Sequence, residues 1–181
     1  MHTPTYAETL QLIARLPERR PYAALPDRLA PLFRHLASVT TSAEAAVTED
    51  VIWALWMSHP NAAAERVLDL ATGDIAAGRF DIADTRLTRL LRTCPDFAEA
   101  WNKRATLYYL LGRDEECIAD INHALALEPR HFGALAGFGE ICLAHGNTEA
   151  ALFGFRAALR VHPHMEGVAR SCRNILEGKL C

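Results

Sequence analysis

Nowhere in these 181 residues do apolar side chains run on for the roughly 20 positions that a bilayer-spanning helix requires. The N-terminus, MHTPTYAETLQLIARLPERR, lacks the basic segment and apolar core of a secretory signal. A cytoplasmic location is therefore expected, with a processed leader left open. Cysteine is scarce and odd in number: Cys94, Cys117, Cys142, Cys172 and Cys181 lie far apart and form no CxxC. That argues against a disulfide framework or a zinc knuckle and for buried thiols in a reducing compartment. Neither sign of charge dominates, with 19 basic and 22 acidic residues and a net charge of −3. Nucleic acid and membrane surfaces are thus not expected partners. There is no GxSxG, no P-loop and no glycine-rich dinucleotide turn, and no two of the eight histidines stand in HxxxH spacing. No catalytic residue, cofactor or metal site is expected, and the chain is not read as an enzyme. The strict two-residue alternation of strands is missing as well.

What is present is a period. Half the residues are hydrophobic and about a quarter charged, a globular composition. Pro95, Pro129 and Pro163 are spaced by 34 residues, and so are Gly78, Gly112 and Gly146, and Asp81, Glu115 and Glu149. Three chemically different markers in one register define a stacked helix–turn–helix array. Each has a physical task. The glycine closes a first helix in the left-handed conformation. The acid three residues on favours the positive end of the second helix. The proline stops that helix. Apolar positions agree at helical spacing: Ala83, Leu87 and Leu90; Trp101, Ala105 and Tyr108; Cys117, Ile121 and Ala124; Ala151, Phe155 and Ala158.

Three units follow, 62–95, 96–129 and 130–163, within residues 61–163. Residues 164–181 supply a capping helix, with Val168, Cys172 and Ile175 inward. Residues 1–60 form an N-terminal helical region: a short helix over 5–16, a proline-rich break from Pro17 to Pro26, and a hairpin over 27–60 that reads as a degenerate repeat. Thr41 and Glu44 suggest a capping box at its second helix. Trp53 and Trp56 are read as core, at the seam between this hairpin and the first true repeat, with an aromatic ledge as the other reading.

At these residues the chain resembles the tetratricopeptide repeat. The second unit matches at Trp101, Tyr108, Ala124 and Pro129, the third at Gly139, Ala151, Phe155, Ala158 and Pro163, and the first at Leu70, Ala83 and Pro95. Departures are Asp74 and Cys142 where tyrosine is the motif residue, and Arg104 where it has leucine. The blocks AEAWNKRATLYYLLGR and ALEPRHFGALAG also resemble small bacterial repeat proteins.

The resemblance implies an all-α, right-handed α-solenoid whose first helices line a concave groove for a protein or peptide partner. On this chain the groove would be lined by Leu68, Thr72 and Ile75, by Glu99, Asn102, Thr106 and Tyr109, and by Ala136, Glu140 and Leu143. Arg170 and Asn174 would close it. Asn102, Lys103, Arg130 and Arg170 have the chemistry to grip a carboxylate, although not at the offsets of the family's known clamp. Arg130 and His131, at an inter-repeat turn, could hold a carboxylate or an aromatic ring. The other reading makes them turn residues, with Phe132 packed between repeats. The expected function is a non-catalytic binding scaffold. The alternative is self-association, a homo-oligomer built through the N-terminal hairpin.

Overall fold

The glycines close their helices as the period requires, and a fourth joins them. Gly78, Gly112, Gly146 and Gly178 have φ values of 72°, 66°, 71° and 66°. After each glycine the next N–H donates to a carbonyl five residues back: Arg79 to Asp74, Arg113 to Tyr108, Asn147 to Cys142 and Lys179 to Asn174, all within 2.9 Å. This closure needs a residue without a Cβ penalty at positive φ. Gly178 breaks the 34-residue step, which is why the period alone did not reveal it.

A computed structural model describes residues 4–23 and 25–179, and all the regular structure among them is helical, with no strand. The order is α1 (Tyr6–Arg15), a 3₁₀ turn (Leu16–Glu18), α2 (Leu29–Ser38), α3 (Ser42–Met57), α4 (Ala62–Ala76), α5 (Phe80–Thr93), α6 (Ala98–Leu110), α7 (Asp114–Leu127), α8 (Phe132–Ala144), α9 (Thr148–Val161) and α10 (Glu166–Leu176). The pairs α4/α5, α6/α7 and α8/α9 stack in sequence, and α10 packs on α9. Asp81, Glu115 and Glu149 fall in the first turns of α5, α7 and α9. Those helices end at Cys94, Glu128 and His162, each directly before its proline.

Apolar positions at helical spacing form the core. Leu68, Ala71, Ala83, Leu87 and Leu90 fill the first pair. Ile121, Phe138, Ala151 and Phe155 fill the next two. The α8/α9 pair approaches closely at two glycines: a Cβ on Gly139 would lie 2.4 Å from the Phe155 ring, and one on Gly154 would lie 3.1 Å from the Gly139 nitrogen. Trp101 is only half-buried; its indole N–H donates to the Pro95 carbonyl at 2.8 Å and its ring stacks on His123.

The N-terminal region does not simply precede the first repeat. Helix α1 lies against α7 and touches α9. Tyr6 stacks on Phe138, accepts from Asn147 Nδ2 at 2.8 Å and faces the Cys142 thiol. Burial pushes its hydroxyl pKa up to about 12. The full reciprocal capping box is formed by Thr5 and Glu8 at the start of α1. At Thr41 only one half is made, with Oγ1 accepting the Glu44 N–H.

The seam expected for Trp53 and Trp56 is elsewhere. Both rings pack against His131 and Phe132, where the second unit meets the third. Indeed α3 runs past all three inter-repeat corners in reverse order. From its middle Glu49 meets His162 at 3.0 Å, Trp53 and Trp56 in its last turns cover His131 and Phe132, and just beyond its end His59 meets Asp96 and Phe97. Phe132 is fully buried in the hairpin's own cluster with Leu29, Leu36, Ile52 and Trp56.

Candidate functional site

The first helices of the repeats, α4, α6 and α8, carry the expected groove residues, and the structure divides these into two groups. The first group is buried. Leu68 is in the core, and Glu99, Asn102 and His131 are closed from solvent. Glu99 projects from the first turn of α6, where it meets His131 Nε2 at 2.8 Å and Lys103 Nζ at 3.1 Å. Asn102 Nδ2 lies 3.3 Å from both of its oxygens. Burial works against the charged carboxylate, but the bond to His131 and the charge of Lys103 outweigh it, so the Glu99 carboxyl is held below the usual range.

His131 serves three neighbours. Its Nδ1 accepts the Ala134 N–H and caps α8, which leaves the Nε2 proton for Glu99. Its ring stacks on Trp56 at 4.1 Å and 7°. Arg130 reaches back to Glu128 through Nε and Nη2, both at 2.8 Å, and lies over the Phe33 ring. The carboxylate-gripping groups at this corner therefore hold the protein's own acids. Asn102 and Lys103 hold Glu99, and Arg130 holds Glu128. Glu128 and Glu49 were not singled out from the sequence. The signal for Glu128 was an acid at the position directly before a stop proline, which the motif leaves free.

The second group remains open. Thr106 and Tyr109 are exposed on the later turns of α6, Tyr109 to 41%. Glu140 and Leu143 are half-buried on α8, with the Glu140 carboxyl pushed up by burial. Thr72 and Ile75 on α4 are half-buried, and the buried Thr72 hydroxyl has no partner among the described residues. On α10, Arg170 is exposed and Asn174 half-buried. These side chains belong to the middle and later turns of their helices, towards the glycine turns and away from α3.

Cys94, Cys117, Cys142 and Cys172 are buried and free, and burial pushes the Cys117 thiol up to about 12. Cys181 lies outside the described residues. Among the described residues no group of three His, Cys, Asp or Glu side chains could hold a metal ion, and no helix is long and apolar enough to cross a membrane. Two of the histidines, His131 and His162, are buried.

Known proteins agree with this architecture. The tetratricopeptide repeat profile matches residues 98–131, a span that begins with α6 and ends at the corner histidine. A TPR repeat-containing protein of Rhizobium etli is 32% identical over 164 residues, covering 90% of this chain and 80% of that protein. The chain belongs to the tetratricopeptide repeat family.

Proposed function

We propose that the chain is a non-catalytic binding module that takes a protein or peptide segment along the open half of its concave face. The observation that carries this reading is the division of the groove. Its corner half is filled by α3, while Thr106, Tyr109, Glu140 and Leu143 remain accessible beside it. An aromatic ring, a hydroxyl and a carboxylate on neighbouring helices suit a short segment that offers an apolar anchor and N–H donors. The family generally mediates protein–protein interaction, which supports the coarse reading. The thiols of Cys117, Cys142 and Cys172, buried and pushed up by that burial, give no support to a catalytic one. The test is affinity capture from the source cell with the wild type, Tyr109→Ala and Glu140→Gln side by side. The expected result is a protein retained by the wild type and lost with both variants. Equal recovery on all three would overturn the groove assignment.

A second reading, self-association through the N-terminal hairpin, keeps one supporting observation. Trp56 is spent inside the fold, but Val47 and Val51, one turn apart on the outer face of α3, are 67% and 37% exposed. Sedimentation at increasing concentration separates the readings, because a mass that stays at one chain removes the second.

A further inference from the structure

Away from the first helices of the repeats, a groove of about 780 Å³ runs between α1 and α9. Leu10 and Ala14 of α1 and Leu152 and Phe153 of α9 give it an apolar wall. Arg156 and Arg160 rise from α9 one turn apart, both exposed, and neither has a partner among the described residues. Glu149 stands at the opposite end of the groove, in the first turn of α9. From Glu149 to Arg160 is eleven residue steps, roughly 16 Å of helix.

Helix α3 presents the opposite surface. Ala43, Val47, Val51 and Ala54 recur at helical spacing and are exposed, Val47 to 67% and Val51 to 37%. This stripe also spans eleven residue steps. Asp50 lies in it and Glu44 at its margin, both exposed, and α3 carries no basic side chain. Two such stripes face to face would oppose acid to acid with no base to pair them, so a symmetric α3–α3 contact is disfavoured. The α1–α9 groove matches the stripe in length, in apolar character and in charge.

We propose that the α3 stripe of one copy of this chain docks in the α1–α9 groove of the next, a contact that rests on the self-association reading and gives it a second surface. Charge sets the direction. Antiparallel to α9, with Ala54 at Glu149, the docked helix sets Val51 over Leu152, Asp50 within reach of Arg156 and Glu44 at the Arg160 end. A parallel docking would place Glu44 at Glu149, acid against acid. Stripe and groove are different surfaces, so the contact is head-to-tail, and each added copy leaves one of each free for another. One helix face is a small interface, so weak, concentration-dependent association is expected.

The test uses two half-blocked forms of the full chain in sedimentation velocity. Val51→Asp spoils the stripe and keeps the groove, and the double variant Arg156→Glu with Arg160→Glu spoils the groove and keeps the stripe. All three side chains are exposed, so helical spectra like the wild type's are expected and separate a folding defect from a lost contact. The wild type should grow past two chains as concentration rises, and each variant alone should associate at least about tenfold more weakly. Mixed in equal amounts, the variants should form a species of two chains and nothing larger, because one intact stripe meets one intact groove. Two monomeric variants that fail to pair would overturn the contact. Loss of association in Val51→Asp with none in the arginine variant would keep self-association through the hairpin and overturn the groove as its acceptor. A wild type that stays at one chain at millimolar concentration would overturn both.

Discussion

The two edges of the repeat array share one 34-residue period and have opposite fates. At the proline edge, three corners bring Asp96 and Phe97, then His131 and Phe132, then His162 under α3 and its end, and most of these groups are buried. At the glycine edge, the turns stay in solvent, and Tyr109, Leu110 and Leu111 just before Gly112 are 41%, 53% and 40% exposed. Repeat geometry alone does not decide which side of a solenoid is available. In this chain the N-terminal hairpin does so, by spending two tryptophans on one edge.

Removing that hairpin's anchor is the largest test of the contrast. Trp56→Ala should cost about 3–5 kcal/mol, as loss of a buried aromatic does, read as a lower denaturation midpoint. An unmoved midpoint would mean that α3 adds nothing to the proline edge.

His131→Leu comes next, with an expected loss of about 3 kcal/mol at neutral pH, because it removes the nearest partner of a buried carboxylate. The pH dependence gives an independent reading. The folded Glu99 carboxyl lies below its ordinary value, so its contribution is complete above the unfolded carboxyl pKa of about 4.3 and is lost as pH falls through the folded value. The acid limb of a stability–pH curve should therefore be shallower in His131→Leu than in the wild type. Parallel curves would mean that the pair is not the source of the acid sensitivity.

Arg130→Ala should cost about 2 kcal/mol, since Glu128 is fully buried and loses two charged hydrogen bonds. A neutral substitution would put the Arg130–Glu128 pair outside the fold's stability. At the glycine edge, Tyr109→Ala should change stability by less than about 0.5 kcal/mol while reducing capture of a groove partner. A stability loss comparable to that of Trp56→Ala would erase the distinction between the edges.

The scaffold was legible because its markers act locally. A glycine cap, a first-turn acid and a stop proline each work within about one turn of their own residue. The hairpin's destination was not legible, since Glu49 and His162 are 113 positions apart and no local pattern links them. The departures from the motif have the same character. Asp74, in a tyrosine position, is met by Arg79 and Arg86, and Arg104, in a leucine position, is clamped to Asp120 at 2.7 and 2.8 Å. At Cys142 the missing ring is supplied from α1, where Tyr6 reaches the site across 136 residues of sequence. The family resemblance could name Glu99, Asn102 and His131 as groove positions. It could not show that a helix outside the period would cover them.

The strap along the three corners also bears on how the molecule comes apart. A linear array held only by nearest neighbours frays from its ends, each unit opening with little cost to units further away. Helix α3 together with His59 just past its end engages all three corners and ties the first unit to the last, so opening either end disturbs contacts shared with the middle. Its long sequence separations carry a loop-closure cost that the stacked pairs avoid. The order of assembly expected from that cost is stacked pairs first and strap last. Once the strap has closed, a chain built from modular parts is expected to unfold as one cooperative unit, seen as coincident transitions by different probes.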